Sequence, residues 1–195
     1  MKLREKNLVM AIELNDLIHV HENVLDSSTC EFLIETFESN SQEHERVEQN
    51  KIPNFTQFNL TKNCELSDKV KNTHNFLVSK VFEYKKKYYE FVDYRCFPES
   101  HAFEQFRIKK YSNDGNDMFD THVDVTDHES SRRFLSFMWY LNDVEQGGET
   151  VFADLQIQPK AGTMVVFPPL WMFPHRGNVP ISGDKYIMST YLHYK

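Results

Sequence analysis

Two histidines and an aspartate form the pattern in this 195-residue sequence that most suggests chemistry. His122 and Asp124 lie two positions apart in the segment DTHVD. Alternate residues of a β-strand project from the same face, so both side chains are able to reach one ion. His175, in the segment FPHRG, is the best candidate for a third ligand, and His128 is its rival. Two imidazoles and one carboxylate leave adjacent coordination positions open, which favours a non-haem Fe(II) site.

A lysine downstream of these residues adds a possible anion-binding group. Lys185 lies ten residues after His175 (185 − 175), at the start of a segment with the alternation of a strand. A cation at this position is able to face an anionic co-substrate bound to the same metal. Because an HxD pair, a distant histidine or a single lysine is common in proteins without a metal, the surrounding sequence must decide.

The composition indicates a folded domain rather than a disordered chain. Hydrophobic residues make up 40% of the sequence, aromatic residues 14% and charged residues 26%. The formal net charge is -7, which disfavours general electrostatic binding to nucleic acid or to an anionic membrane. We therefore expect neither nucleic acid nor a membrane among the partners, and the oligomeric state is open.

The cysteines and the first residues predict a cytoplasmic protein. The three cysteines include no CxxC pair, and an odd number cannot be fully paired within one chain, which favours a reducing compartment. Glu5, Glu13 and Asp16 interrupt the apolar residues at the start of the sequence, so no signal peptide is predicted there. No apolar run of about 18 residues is present, so no transmembrane span is predicted.

The chain up to residue 100 is predicted to be a helical support region. Ser28 and Glu31 have the spacing of a capping box, and apolar residues at helical spacing follow as far as residue 40. A second helix is predicted over about residues 67–91, where apolar residues again recur at helical spacing.

From residue 101 onwards the pattern changes to short strands separated by turns. Segments such as RRFLSFMWYL, GTMVVFPP and KYIMSTYLHY are rich in aromatic and β-branched residues. We predict a mainly β protein with flanking helices, an α+β fold, in which 1–195 is a single domain and 101–195 is its catalytic core.

The residues around the histidines resemble the catalytic domain of prolyl 4-hydroxylase-like oxygenases that depend on 2-oxoglutarate and Fe(II). The ordered match consists of Tyr111, Gly115, residues 122–124 (HVD), 139–143 (WYLND), 147–152 (GGETVF), 159–162 (PKAG), 166–168 (VFP), 175–177 (HRG), 183–186 (GDKY), Tyr191 and Leu192. The segment between Tyr111 and His122 is about two residues longer than is common in that family, and Phe119 stands where tyrosine is frequent.

The resemblance implies a fold and a set of functional residues. The fold is a double-stranded β-helix, also called a jelly-roll or cupin-like core, with N-terminal helices packed on one sheet. The implied iron ligands are His122, Asp124 and His175, and Lys185 is the implied partner of the distal carboxylate of 2-oxoglutarate. Three further positions are expected to contribute to the co-substrate pocket: Tyr111, Tyr140 and Thr190, although Thr190 is five residues from Lys185, an offset that a regular strand places on the opposite face.

The implied activity is hydroxylation of a substrate C–H bond, with a prolyl residue of a peptide or protein as the leading target. Fe(II), 2-oxoglutarate and dioxygen are the implied cofactor and co-substrates, succinate and CO2 the implied products, and ascorbate an additional reductant. Three alternatives stay open at this point. They are the same chemistry on a free amino acid or other small molecule, a cupin-like metal-binding module without turnover, and a zinc hydrolase, because Zn²⁺ binds many such sites more tightly than Fe²⁺.

Overall fold

The computed structural model describes residues 13–195, which contain two α-helices and twelve strands. Helix α1 spans Ser27–Glu38 and helix α2 spans Asp68–Val92. The strands are β1 (His19–His21), β2 (Glu45–Glu48), β3 (Asn54–Asn59), β4 (His101–Phe103), β5 (Arg107–Tyr111), β6 (Phe119–His122), β7 (Arg133–Tyr140), β8 (Thr150–Phe152), β9 (Leu155–Ile157), β10 (Met164–Phe167), β11 (His175–Gly177) and β12 (Lys185–Tyr194). Short 3-10 helices lie at Leu14–Leu17, Ser41–Glu43, Cys64–Leu66, Tyr94–Cys96 and Ser130–Arg132.

The strands form two antiparallel sheets that face each other. The larger sheet has the order β1-β10-β7-β12-β5-β3-β2, and β4 pairs with the last residues of β12. The smaller sheet has the order β6-β11-β8-β9. Phe152 of the smaller sheet and Phe167 of the larger sheet are in contact, with ring centroids 4.9 Å apart. The predicted double-stranded β-helix is confirmed.

Both helices pack on the outer face of the larger sheet. The core between helices and sheet includes Cys30, Leu33 and Phe37 of α1, Leu77, Val81 and Tyr88 of α2, Leu135, Phe137 and Trp139 of β7, and Tyr186, Met188 and Leu192 of β12. Burial of this apolar surface is the main term that holds the helices on the sheet. The expected packing of helices on one sheet is therefore present.

A second core fills the space between the two sheets. Its members include Tyr140, Val165, Phe167 and Ile187 of the larger sheet, with Phe152 and Ile157 of the smaller sheet. Since alternate residues of a strand face opposite sides, β7 and β12 contribute to both cores and are buried on both faces. This double burial explains why β7 is mostly apolar after its first residue, whereas the polar residues of β12 include the cavity-lining Lys185 and Ser189.

The start of α1 differs from the predicted capping box. The N-cap is Asp26, whose carboxylate accepts hydrogen bonds from the Thr29 backbone N–H at 2.7 Å and from the Ser28 hydroxyl at 3.0 Å. The predicted pair of Ser28 and Glu31 is therefore wrong. An aspartate just before the first turn caps its free N–H groups at least as well as serine, and here it lies at the position where the backbone is still extended.

The region before residue 101 is not a purely helical support. It supplies β1 at one edge of the larger sheet and the β2–β3 hairpin at the other edge. The hairpin pairs with β5 through β3, and the Lys51 carbonyl in its turn accepts a hydrogen bond from the Asp120 backbone N–H at 2.8 Å. The prediction missed β1 and β2 because they are only three and four residues long, too short for a clear alternation.

Cys30, Cys64 and Cys96 are all free thiols. Within residues 13–195, no helix combines the length and the apolar character that a membrane span requires.

Replacement of Leu77 by alanine tests whether the helices and sheets unfold as one unit. Leu77 of α2 is completely buried against the larger sheet, and a Leu→Ala change at such a site costs about 2–5 kcal/mol. We expect a lower urea midpoint with a single transition seen by both circular dichroism and tryptophan fluorescence. Leu66→Ala, at a leucine that is 48% exposed, is the matched control and should change stability by less than about 0.5 kcal/mol. Equal midpoints for the two variants would contradict the assigned packing.

Candidate active site

The pairing of β6 with β11 brings the two candidate histidines together. His122 at the end of β6 lies directly opposite His175 at the start of β11, and their ring centroids are 4.3 Å apart. Asp124 lies two residues beyond the end of β6 rather than on the strand, so the chain turns to return its carboxylate to the histidines. One potential ligand atom from each of the three residues lies within 4.8 Å of the other two.

Both imidazoles are held in the tautomer that a metal requires. Nδ1 of His122 is 2.7 Å from the Asp120 carbonyl oxygen, and Nδ1 of His175 is 3.0 Å from the Phe173 carbonyl oxygen. A carbonyl oxygen only accepts, so each Nδ1 must donate. In the neutral imidazole this leaves the Nε2 lone pair free, and burial lowers the pKa of His175, which favours that neutral form.

The Asp124 carboxylate faces both free nitrogens. Its Oδ1 is 3.7 Å from Nε2 of His122, and its Oδ2 is 3.8 Å from Nε2 of His175. Oδ2 is buried and has no hydrogen-bond partner among residues 13–195. Burial alone would raise the pKa of Asp124, but the neighbouring His122, His175 and Lys109 lower it to about 2. A buried, ionised oxygen beside two imidazole lone pairs fits a divalent cation.

Aromatic rings fix the two imidazoles in place. The Phe119 ring lies parallel to the His122 ring, with centroids 3.3 Å apart. Phe152 and Phe167 each lie 5.0 Å from the His175 ring. Phe152 and Phe167 thus adjoin the site, whereas Val166 faces the helices on the other side of the larger sheet.

A cavity extends from these three residues into the space between the sheets, and Lys185 lies at its inner end. Lys185 is 2% exposed, and its Nζ donates a hydrogen bond to the Gly148 carbonyl at 2.9 Å and lies 4.5 Å from the centre of the Tyr111 ring. Lys185 forms no ion pair within residues 13–195. Burial lowers the pKa of Lys185 to about 7, and the charge of Glu149 offsets this only in part. An anionic ligand is the natural partner for such a buried amine.

Glycines leave room for the Lys185 side chain. Gly148 has a φ of +72°, and a Cβ on it would lie 3.3 Å from Cδ of Lys185. A Cβ on Gly177 would lie 3.4 Å from Nζ of Lys185. These glycines belong to the segments GGET and HRG that carry the sequence resemblance, so part of the pattern reflects the space that this lysine occupies.

Of the three remaining residues predicted for the co-substrate pocket, one lines the cavity and two do not. Tyr111 lines the cavity beside Lys185. Tyr140 lies outside the cavity lining, and its hydroxyl donates to Oγ1 of Thr150 at 2.7 Å. Thr190 faces the helix side of the larger sheet, and its hydroxyl donates to the Glu104 carbonyl at 2.7 Å. The prediction for Thr190 is wrong because β12 is regular, so that residue 190 and Lys185 lie on opposite faces.

Several side chains near the cavity were missed by the sequence analysis. Lys109, Ser189 and Tyr191 line it together with Lys185. Arg133 forms an ion pair with Glu104 at 2.7 Å and donates to the Asp124 carbonyl at 2.8 Å, so it holds the turn that carries the carboxylate. Counting in steps of two along β5 and β12 from Tyr111 and Lys185 would have found the first three. No local pattern marks Arg133.

A wider groove opens from the cavity to the surface, with a volume of about 500 Å³. His122, Asp124 and Lys109 line both spaces. The β2–β3 hairpin forms one wall of the groove through Val47, Gln49, Ile52, Pro53, Phe55 and Gln57. The rival ligand His128 is exposed and lies outside the group of three.

Comparison with known proteins agrees with this geometry. Residues 106–193 match the model of the 2OG-Fe(II) oxygenase superfamily. The probable prolyl 4-hydroxylase 9 of Arabidopsis thaliana is 29% identical over 126 residues, which are 49% of this chain and 42% of that protein. The chain thus spans less than half the length of this curated relative.

Solved structures share the fold. A viral collagen prolyl hydroxylase of Paramecium bursaria chlorella virus-1, in complex with 2OG, superposes with a TM-score of 0.68 at 19% identity over 92% of this chain and 97% of that chain. A Trichoplax adhaerens prolyl hydroxylase, bound to a peptide fragment of the hypoxia inducible factor oxygen degradation domain, gives 0.72 at 16% identity over 92% and 85%. Residues 106–193 are thus similar in sequence to the 2OG-Fe(II) oxygenase superfamily, and the chain shares the fold of these prolyl hydroxylase structures.

Proposed function

We propose that the protein is a non-haem Fe(II)- and 2-oxoglutarate-dependent dioxygenase that hydroxylates a prolyl residue in a peptide or protein. The observation that carries the proposal is that His122, Asp124 and His175 share one cavity with the buried cation of Lys185. A site that only bound a metal would have no need for a buried lysine at the far end of that cavity. The family match and the relationship to a prolyl 4-hydroxylase support the same activity.

In this proposal the two free Nε2 atoms and the Asp124 carboxylate hold Fe(II). The backbone carbonyls of Asp120 and Phe173 keep both Nδ1 atoms as donors, so that each Nε2 stays available to the metal. Asp124 provides the negative charge that a divalent ion needs in a buried site. An aspartate at this position also argues against a halogenating enzyme, because the carboxylate takes the coordination place that a halide would use.

Lys185 orients the co-substrate. Its ammonium pairs with the distal carboxylate of 2-oxoglutarate and neutralises a charge that would otherwise be buried alone. Tyr111 lies beside Lys185 and limits the width of that end of the cavity. The other end of the co-substrate is thereby directed toward the three metal ligands, which line the same cavity.

The rest of the chain positions the reacting groups and keeps water away from them. Bound Fe(II) supplies activation of dioxygen, coupled to decarboxylation of 2-oxoglutarate to succinate and CO2 with hydroxylation of the substrate. Phe119, Phe152 and Phe167 surround the histidines and exclude water from that chemistry. The outer groove beyond His122 is where the peptide binds, with the β2–β3 hairpin as a wall.

Further properties belong to the same proposal. The chain acts as one domain, 1–195, in which residues before 101 support the catalytic part. The three cysteines support a reducing, cytoplasmic environment. Ascorbate serves as the reductant that restores oxidised iron. The net charge of -7 supports a protein or small-molecule substrate over a nucleic acid.

Loss of one imidazole tests the metal site. His175→Ala removes a ligand nitrogen, so we expect Fe(II) affinity to fall by more than the roughly 10–100-fold that loss of an outer partner costs. Anaerobic titration with Fe(II) measures this directly. His128→Ala is the control, since His128 is exposed and outside the group of three. Unchanged affinity in His175→Ala, or an equal loss in His128→Ala, would remove the assignment.

Loss of the buried cation tests the co-substrate site. Lys185→Met should weaken 2-oxoglutarate binding by at least about tenfold, because a charge-assisted contact is lost, while Fe(II) affinity is retained. Lys160→Met, at an exposed lysine with a 64% exposed side chain, is the control.

The same binding measurement has a predicted pH dependence. The pKa of free Lys185 is about 7, and a bound carboxylate would raise it. Binding must therefore take up a proton above that pH, so affinity is complete below about pH 7 and falls by up to about tenfold per pH unit above it. Lys185→Arg keeps the charge and should remove the dependence. A flat profile in the parent protein at saturating Fe(II) would count against the assignment.

Turnover on peptides tests the reaction itself. With Fe(II), 2-oxoglutarate and air, proline-containing peptides should gain the mass of one oxygen atom on proline, with one succinate released for each hydroxylation. Mass spectrometry and a succinate assay make the measurement. Hydrolysis that needs no 2-oxoglutarate would instead favour the zinc hydrolase, and oxidation of free amino acids alone would favour the small-molecule alternative.

A further inference from the structure

Lys109 lies at the junction between the inner cavity and the outer groove. It belongs to β5, opposite Ile187 of β12, one alternate position closer to the surface than the pair formed by Tyr111 and Lys185. Lys185 lines only the inner cavity and Arg107 only the groove, whereas Lys109 lines both. The ammonium is therefore placed near the metal ligands, on the side from which a substrate must enter.

The charge of Lys109 is not neutralised by the protein. Within residues 13–195 its ammonium forms no hydrogen bond and no ion pair, and its Nζ lies 5.1 Å from the centre of the Phe55 ring. The pKa of Lys109 is lowered to about 8 by burial, with the charge of Asp124 opposing that effect.

The other charges around the groove are already paired. Glu104 accepts from Arg133 at 2.7 Å and from Arg107 at 3.2 Å, and it also contacts His193 at 2.9 Å. The next lysine along β5, Lys110, faces the other side of the sheet. It pairs with Glu38 at 2.9 Å and with Asp184 at 3.1 Å. Lys109 is thus the cation on β5 that remains free to bind a ligand.

We propose that Lys109 binds a carboxylate of the substrate, next to the residue that is hydroxylated. The inference rests on the proposed function, since it concerns the substrate of the same site. 2-Oxoglutarate does not fill this role in the proposed arrangement, because Lys185 at the inner end of the cavity takes its distal carboxylate and its other carboxylate is directed to the three metal ligands. The carboxylate comes either from an acidic side chain adjacent to the target proline or from the terminal carboxylate of a C-terminal or free proline.

Peptide binding without turnover tests this inference. In one series, each peptide has a single internal proline and a Glu one or two residues before or after it. Each of these peptides is compared with a matched peptide that has Gln at the same position. A peptide ending in proline is compared with its amide, and free proline with prolinamide. Dissociation constants are measured anaerobically with Fe(II) and 2-oxoglutarate present. We expect at least one acidic ligand to bind about tenfold tighter than its neutral partner, as for one charge-assisted hydrogen bond.

Variants of Lys109 and the paired peptides are combined in a double-mutant cycle, which measures the coupling between this lysine and the carboxylate. Lys109→Met should abolish the preference for the acidic ligand, and Lys109→Glu should transfer it to a peptide with Lys in that position. Lys86→Met is the control, because Lys86 lies on α2 with an 80% exposed side chain and its loss should leave the preference intact.

Two results would overturn the proposal. One is a parent protein that binds no acidic ligand more tightly than its neutral partner, which decides the matter even if every Lys109 variant misfolds. The other is a full preference that persists in Lys109→Met. Failure of the proposed function is distinguishable, since the binding measurement excludes oxygen. If the protein prefers acidic peptides but hydroxylates none, only the proposed function is contradicted. If it hydroxylates acidic and neutral peptides equally, only the role of Lys109 is contradicted.

Discussion

The buried carboxylate of Asp124 is the constraint on which the site depends. An ionised oxygen without a hydrogen-bond partner is costly inside a protein unless a cation compensates it. Two imidazoles aim their free nitrogens at the same point, and Arg133 holds the backbone of the turn that carries the carboxylate. A divalent metal satisfies all of these groups together, so the arrangement is understandable as a metal centre and costly without one.

The larger sheet makes this arrangement rigid because one of its faces packs on the helices while the other lines the cavity. Its outer face packs on α1 and α2 and supplies most of the apolar burial. Its inner face presents Lys185, Lys109 and Tyr111 to the cavity, opposite the small sheet that carries His122 and His175. Because both faces are packed, a shift of β12 by one residue would exchange Lys185 with its core neighbour Tyr186, so the position of the co-substrate lysine is tied to the stability of the fold.

The architecture and the candidate ligands could be predicted from the sequence, because turn residues separate the strands of the second half and its motifs occur in a recognisable order. Thr190 was misplaced although the strand alternation already argued against it, and Tyr140 was assigned to a pocket when its hydroxyl instead bonds Thr150. Lys109 was missed although it lies two residues before Tyr111 on β5, where strand alternation places both side chains on one face. Arg133 was missed because its role depends on a contact with Glu104, 29 residues away in the chain, which no local spacing encodes. The short strands β1 and β2 owe their conformation to the neighbouring strands rather than to their own sequence.

The most direct test of the central claim is the visible absorption spectrum of the protein with Fe(II) and 2-oxoglutarate under anaerobic conditions. We expect a charge-transfer band that needs both additions and that disappears in Asp124→Ala, because the co-substrate then no longer meets iron in this cavity. A parent protein that binds both additions and shows no band, or an Asp124→Ala variant that keeps it, would contradict the assignment of these side chains to one iron centre.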